Sequence, residues 1–392
     1  MLNTKVKICF ITSTRAEYGL IKSLMRAISI DKNFILQLIV TGTHLSKKYG
    51  FTIDEIEKDG FQVDHKIDME IIDDSNESTC LSLSKLISEL SQKIELLRPD
   101  TIVILGDRFE LLGIAAAATI HRIPLTHLHG GEITEGAFDD SIRHAISKLS
   151  HIHFVANEEY KQRIIQLGEN PKNIFNVGGL GVDAIMNLKL LSKTKLENEL
   201  NLKFLKRNLL ITYHPLTLGD LETSKNELKE LIKSLSLLEN TLQIFTMPNA
   251  DPGNKVIFEI IDAYVKTNKN AFCFASLGQL NYLSCLAQVD GVIGNSSSGL
   301  SEAPTFKIAT LNIGDRQKGR LMSESVINCV ARSEAITKGL NKIYKSSFRE
   351  ILDNAKNPYG DGGASEKIIK ILKNINFKVL LRKKFFNVSF PI

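Results

Sequence analysis

Several large protein classes are excluded by what this 392-residue chain does not contain. Its five cysteines, Cys9, Cys80, Cys273, Cys285 and Cys329, are odd in number, lack CxxC spacing and lie mainly in apolar contexts. They form no disulfide framework and read as reduced core thiols of a cytoplasmic protein. No apolar run approaches the roughly 18 residues of a membrane span, so no membrane insertion is expected. The short run Val6 to Ile11 near the start has no small-residue cleavage pattern after it and reads as a first strand rather than a targeting signal. Charge of one sign is never gathered into a block: 49 Lys and Arg against 44 Asp and Glu leave a thinly spread +5. A nucleic-acid partner is therefore not indicated. There is no GxxxxGK[ST], and Gly178-Gly179-Leu180-Gly181 lacks GxGxxG spacing, so neither a phosphate-binding P-loop nor a dinucleotide fingerprint is present. His127 and His129 share a strand face, but no third ligand stands at zinc-like spacing and no HExxH occurs; no metal is expected.

What is present is an end-to-end alternation of short β-branched runs with amphipathic segments. That is the pattern of an α/β fold of parallel sheets covered by helices. Strands are expected at Val6 to Ile11, Phe34 to Val40, Thr101 to Leu105, Pro124 to Leu128 and Ile152 to Ala156, with helices between them. A second series follows, with strands near Leu209 to Tyr213, Leu242 to Thr246, Ala271 to Phe274, Val292 to Gly294 and Ile308 to Ile313. With 43% hydrophobic residues the chain can bury two cores. The expected division is 1–185, 186–365, and a last helix with a basic, aromatic tail over 366–392 that packs on the body or on a partner subunit. An active cleft is expected where the carboxyl ends of both sheets meet.

The polar clusters of the sequence stand directly after expected strands. Arg15 opens the first helix, where its planar fork can meet a phosphate beside free N–H groups, or simply pair with Glu17. Asp107 and Arg108 follow Gly106, either as base and phosphate clamp or as a turn with a capping Asp. The run His127-Leu128-His129-Gly130-Gly131-Glu132 and the helix start Asp139-Asp140-Ser141-Ile142-Arg143 crowd titratable groups together. Adjacent carboxylates in a cleft raise one another's pKa and supply a base and an acid near neutrality, although one of the pair can equally be a helix cap. In the second half, His214, Asn249, the Ser296-Ser297-Ser298-Gly299 loop with Glu302, and Arg316 again follow strands. A Gly/Ser loop before a helix offers donors suited to a diphosphate.

Taken together, TRAEYG, VTGTHLSKKYG, GDRFELL, HLHGGE, DDSIRHAISKLSHIHF, YHP, GNSSSG and GDRQKGR resemble, in order, the signature blocks of hydrolysing UDP-N-acetylglucosamine 2-epimerases of sialic-acid-type pathways. The resemblance spans residues 12 to about 320. It implies a glycosyltransferase-B-like fold of two facing Rossmann-like domains, a homodimer or homotetramer, and no metal or nicotinamide cofactor. It implies that Arg15, Arg108, His214, Asn249, Ser296, Ser297, Glu302 and Arg316 hold UDP, while Asp107, His129, Glu132, Asp139, Asp140 and Arg143 surround the sugar. Non-hydrolysing relatives, and some hydrolysing ones, carry an acid where this chain has His129, so the residue that moves each proton stays open. The implied reaction converts UDP-N-acetylglucosamine into UDP and N-acetylmannosamine through a 2-acetamidoglycal. UDP-N,N'-diacetylbacillosamine, of legionaminic-type pathways, is the alternative substrate. A non-hydrolysing epimerase, a glycosyltransferase on the same fold and a silent UDP-sugar binder are the remaining readings; free UDP without an acceptor separates the first of these families from all three.

Overall fold

Strand Val6–Thr12 (β1) shows how the first sheet is built: Ile8 and Phe10 enter one buried cluster and Cys9 and Ile11 another. A strand apolar on both faces must be covered on both, and helices do this here. In the computed structural model, which describes residues 5–73, 75–134, 138–214, 221–247 and 254–389, β1 pairs in parallel with Phe34–Thr41 (β2). His65–Ile67 (β3), Thr101–Leu105 (β4), Leu125–Leu128 (β5), Ile152–Val155 (β6) and Ile174–Asn176 (β7) complete a seven-stranded parallel sheet ordered β3-β2-β1-β4-β5-β6-β7. A second parallel sheet contains Arg207–Thr212 (β8), Thr241–Thr246 (β9), Ala271–Phe274 (β10), Gly291–Gly294 (β11), Ala309–Ile313 (β12) and Val326–Cys329 (β13), in the order β10-β9-β8-β11-β12-β13. The α/β expectation holds, with parallel sheets throughout.

The order of each sheet reverses once, between β1 and β4 in the first and between β8 and β11 in the second. At such a point the loops leaving neighbouring strands diverge and open a crevice at the carboxyl edge. The chain divides into two units, one of Met1–Glu132, Asp139–Ala184 and Gly362–Ile392, the other of Ile133–Phe138 and Ile185–Asp361. The return to the first unit is fixed by a cap from outside the helix: buried Asp183 accepts from the N–H groups of Ala364 (3.0 Å) and Ser365 (3.1 Å) and from the Ser365 hydroxyl. The helix Ala364–Leu372 then lays Ala364, Ile368 and Leu372 into the core beside the helix Arg15–Ile30. Among the described residues no helix is long and apolar enough to cross a membrane.

Candidate functional site

In the first unit, the expected acids converge on one buried cation. The helix Asp139–Leu149 turns Arg143 inward, where it is 1% exposed. Its guanidinium donates to Asp107, to Asp140 Oδ1 at 2.9 Å and to the Glu132 carbonyl at 2.9 Å. Burial works against the charge, but Asp107, Glu132 and Asp140 outweigh it and raise the pKa of Arg143. The carboxylates of Asp107 and Asp140 remain about a quarter exposed, at 26% and 27%. The result is a sunken cation presenting two accessible carboxylates. Asp139 is the first residue of the same helix, and with Asp140 it places two acids in the positive first turn. Asp107 is spent on Arg143 rather than on capping: the helix Phe109–Ile120 has Arg108 at its N-cap and no side-chain cap bond.

His129 sits just past β5 with φ of +63°, a left-handed conformation uncommon outside glycine. Its Nε2 accepts from the Leu180 N–H at 3.1 Å, at the start of the helix Leu180–Asn187. That leaves Nδ1 to carry the proton, 3.3 Å from Glu132 Oε1. A ring so held orients Glu132. The next glycines explain themselves by space: a Cβ on Gly131 would lie 2.4 Å from the Tyr160 carbonyl, and φ there is +81°.

Beside this cluster, Arg108 serves a buried acidic pair, Glu17 and Glu110, while Arg15 stands near Glu55. Thr14 caps the helix Arg15–Ile30, and Glu17 reaches back to accept from the Ser13 N–H at 2.9 Å, so the expected Arg15–Glu17 alternative is replaced by a capping-box-like turn. Arg15 is half-buried, its pKa lowered by burial and supported by Glu55. Arg108 Nε lies 3.2 Å from the carboxylate of fully buried Glu110. Burial, then proximity to Glu110, raises Glu17 to about 7.

In the second unit, Asn295 after β11 is the organising residue. Its side chain accepts from the His214 N–H at 2.7 Å and donates to the His214 carbonyl at 2.8 Å, locking the loops that leave β8 and β11. Its own carbonyl receives Arg316 at 3.2 Å and Gln317 at 2.8 Å. Gly294 permits this approach, since a Cβ there would stand 1.9 Å from the Thr212 carbonyl at φ +129°. His214 is buried, and burial with nearby Arg316 holds its pKa well below the usual value. Its Nδ1 has no hydrogen-bond partner among the described residues. A neutral imidazole with an unspent acceptor or donor beside a cation is a ready ligand contact. Ser297 stands at the N-cap of the short helix Ser298–Ser301 without a side-chain cap bond, and a hydrogen-bonded chain runs from Tyr282 through Ser298 to half-buried Glu302, the first link at 2.7 Å. Burial raises the Glu302 pKa. Ser296 lies in the same loop, while Asn249 falls outside the described residues.

Sequence reasoning gives Gln317 and Tyr282 no role and reads Asn295 and Ser298 only as parts of the Gly/Ser donor loop, not as the residues that organise it. In the sequence, His127 stands out as one of the crowded titratable groups and as a candidate metal ligand. Both its ring nitrogens are in fact engaged, Nε2 with the Gly106 carbonyl at 2.8 Å and Nδ1 with Ser147 Oγ at 3.1 Å. Among the described residues no group of three or more His, Cys, Asp or Glu side chains is arranged to hold a metal ion.

Two doubly wound parallel sheets, each with its polar loops at the point of strand-order reversal, define a two-domain α/β protein of the glycosyltransferase-B-like kind. The family model described as UDP-N-acetylglucosamine 2-epimerase matches residues 26–373, and the chain belongs to that family, among its hydrolysing members. It is 46% identical over 98% of its length and 100% of the relative to a GDP/UDP-N,N'-diacetylbacillosamine 2-epimerase (hydrolyzing) of Campylobacter jejuni. It is 37% identical, over 94% of both chains, to polysialic acid biosynthesis protein P7 of Escherichia coli. A UDP-N,N'-diacetylbacillosamine 2-epimerase (hydrolyzing) of Legionella pneumophila is 36% identical over 94% of this chain and 96% of that one. In fold, the chain superposes on a UDP-N-acetylglucosamine 2-epimerase structure from Neisseria meningitidis with TM-score 0.79 at 20% identity, covering 94% of this chain and 100% of that one.

Proposed function

We propose that this chain eliminates UDP from UDP-N,N'-diacetylbacillosamine and hydrates the resulting glycal, releasing UDP and the 2-epimeric free sugar. The reaction is carried by one observation, the convergence of Asp107, Asp140 and the Glu132 loop on buried Arg143. The choice of sugar is supported by the full-length 46% identity to the Campylobacter enzyme. UDP-N-acetylglucosamine is the second reading, favoured by the description of the family model that matches residues 26–373.

The hydrogen on carbon 2 has no neighbouring carbonyl to acidify it, so it leaves as a proton only while the bond from carbon 1 to the diphosphate oxygen breaks. A carboxylate of the first unit, Asp107 in this reading, takes that proton. The electrons of the carbon–hydrogen bond become the carbon 1–carbon 2 double bond, and the pair of the breaking bond departs on UDP. Arg316, His214 and the Ser296-Ser297 loop receive the growing negative charge on the diphosphate, and Glu302 accepts hydroxyl donors of the nucleotide. Water then adds through its oxygen to carbon 1, and a proton is returned to carbon 2 on the face opposite to the one it left. Asp139, Asp140 and Glu132 are the acids available for that return.

Proton NMR in deuterated water, with both sugar nucleotides in parallel, tests the assignment. Free UDP with a manno-configured product labelled at carbon 2 is expected from the diacetylbacillosamine derivative. The same products from the N-acetylglucosamine derivative alone would transfer the assignment to that sugar, and a UDP-linked epimer would overturn hydrolysis. Asp107→Asn is expected to retain UDP affinity and lose at least about a hundredfold in turnover; turnover near that of the unaltered chain sinks the role given to Asp107.

A further inference from the structure

The residue that fixes the backbone at Asp107 is not among the acids. His127 lies in the middle of β5, fully buried, and donates through Nε2 to the carbonyl of Gly106, the residue immediately before Asp107. Because a carbonyl can only accept, Nε2 holds the ring proton, and Nδ1 accepts from the Ser147 hydroxyl at 3.1 Å. Ser147 stands four residues after Arg143 on the helix Asp139–Leu149, hence on the same face one turn along. The helix therefore grips Asp107 at two points. Arg143 holds its carboxylate directly, and Ser147 holds the preceding peptide through His127.

The surrounding residues are cut to fit this bridge. A Cβ on Gly130 would come within 2.8 Å of both His127 Nδ1 and Ser147 Oγ, so only glycine leaves the hydrogen bond room. Gly106 turns with φ of +94°, which aims its carbonyl back at β5 while Asp107 proceeds toward the helix. Burial is the leading cause that drives the His127 pKa down to about 3, with His153 and Arg143 adding to it. The imidazole therefore stays neutral at any working pH and keeps one donor and one acceptor.

We propose that His127 is a positioning residue for the reaction, fixing the peptide at Asp107 while Arg143 fixes the side chain. The inference rests on the reading of Asp107 as the group that moves the carbon 2 proton. A base displaced by about 1 Å can lose up to about a hundredfold in rate. His127→Phe, which keeps a planar ring but offers the Gly106 carbonyl nothing, should lower kcat by about tenfold to a hundredfold and leave the Kd for UDP within about twofold. His127→Gln, whose amide can still donate to Gly106, should recover most of that loss. Ser147→Ala, a mild change that secures the test should His127→Phe fold poorly, should lower kcat by about threefold or more.

The deciding comparison is His127→Phe in an Asp107→Asn background, measured as UDP release from the sugar nucleotide that the unaltered chain turns over. A residue that acts through Asp107 has nothing left to position there, so the second substitution should cost less than about threefold. Equal costs in both backgrounds, or a His127→Gln no better than His127→Phe, overturn the role given to His127. A fully active Asp107→Asn, or no turnover by the unaltered chain, overturns the functional reading itself and is seen in the single-variant arms.

Discussion

Glu17 is a carboxylate that the fold accommodates at a cost. It is 6% exposed, faces buried Glu110, and is offset by Ser13 and Arg108 only in part, so its pKa rises to about 7. The unfolded chain releases that proton near 4.5. Between these values the folded state binds the extra proton, so this contribution is fully present below about 4.5 and is lost as pH rises through about 7. The shift, which already contains the lowering by Arg108 and the Ser13 bonds, bounds the effect at about 3 kcal/mol. Glu17→Gln keeps an acceptor for the Ser13 N–H and cannot ionise. Its Tm should match or fall below that of the unaltered chain at pH 5 and exceed it at pH 8. A Tm difference that stays constant across that range would show that Glu17 is ionised throughout.

Among elements, the helix Asp139–Leu149 has one end in the candidate site and the other end held by the C-terminal tail. Its last turn leaves carbonyls without intrahelical partners. Lys383 donates to the Lys148 and Ser150 carbonyls, both at 2.6 Å, and pairs with buried Glu169 at 2.7 Å. Phe385 fills the space over Gly168, where a Cβ would approach its ring to 2.4 Å. Lys383→Ala should cost about 1–3 kcal/mol, the scale of charged hydrogen bonds removed from a partly buried site, and raise amide exchange in that last turn. Unchanged exchange there would make the tail an ornament of the surface. This contact was beyond sequence reasoning, since Lys383 and Ser150 are far apart in the chain and a basic tail has many possible partners. The strands of long apolar runs, β1, β2, β4, β8 and β9, were legible because burial on both faces leaves a continuous signal. The edge strands β3 (His-Lys-Ile) and β13 (Val-Ile-Asn-Cys) were not, being short and partly exposed. The acids were legible because they crowd behind strands. Asn295 and His127 act on partners 81 and 21 residues away, and no local pattern announces such bonds.

On the scale of the whole chain, each unit owns its core, and the first is completed only when the chain returns at Gly362. Asp183 governs that return. It is 1% exposed, and it satisfies two N–H groups and a hydroxyl at the start of the helix Ala364–Leu372, where the helix dipole also favours its charge. Asp183→Ala leaves those donors buried without a partner, a loss of about 2–4 kcal/mol. Asp183→Asn, which still accepts, should lose less. Because Ala364, Ile368 and Leu372 pack in the core with the helix Arg15–Ile30, the damage should fall on the first unit. Hydrogen exchange of the Asp183→Ala protein should therefore rise in the helices Arg15–Ile30 and Ala364–Leu372 and stay at the original level in β8, β9 and β11. A matching rise in those three strands would mean that the two cores open as one cooperative body, and the cap would then stabilise the entire chain rather than one half of it.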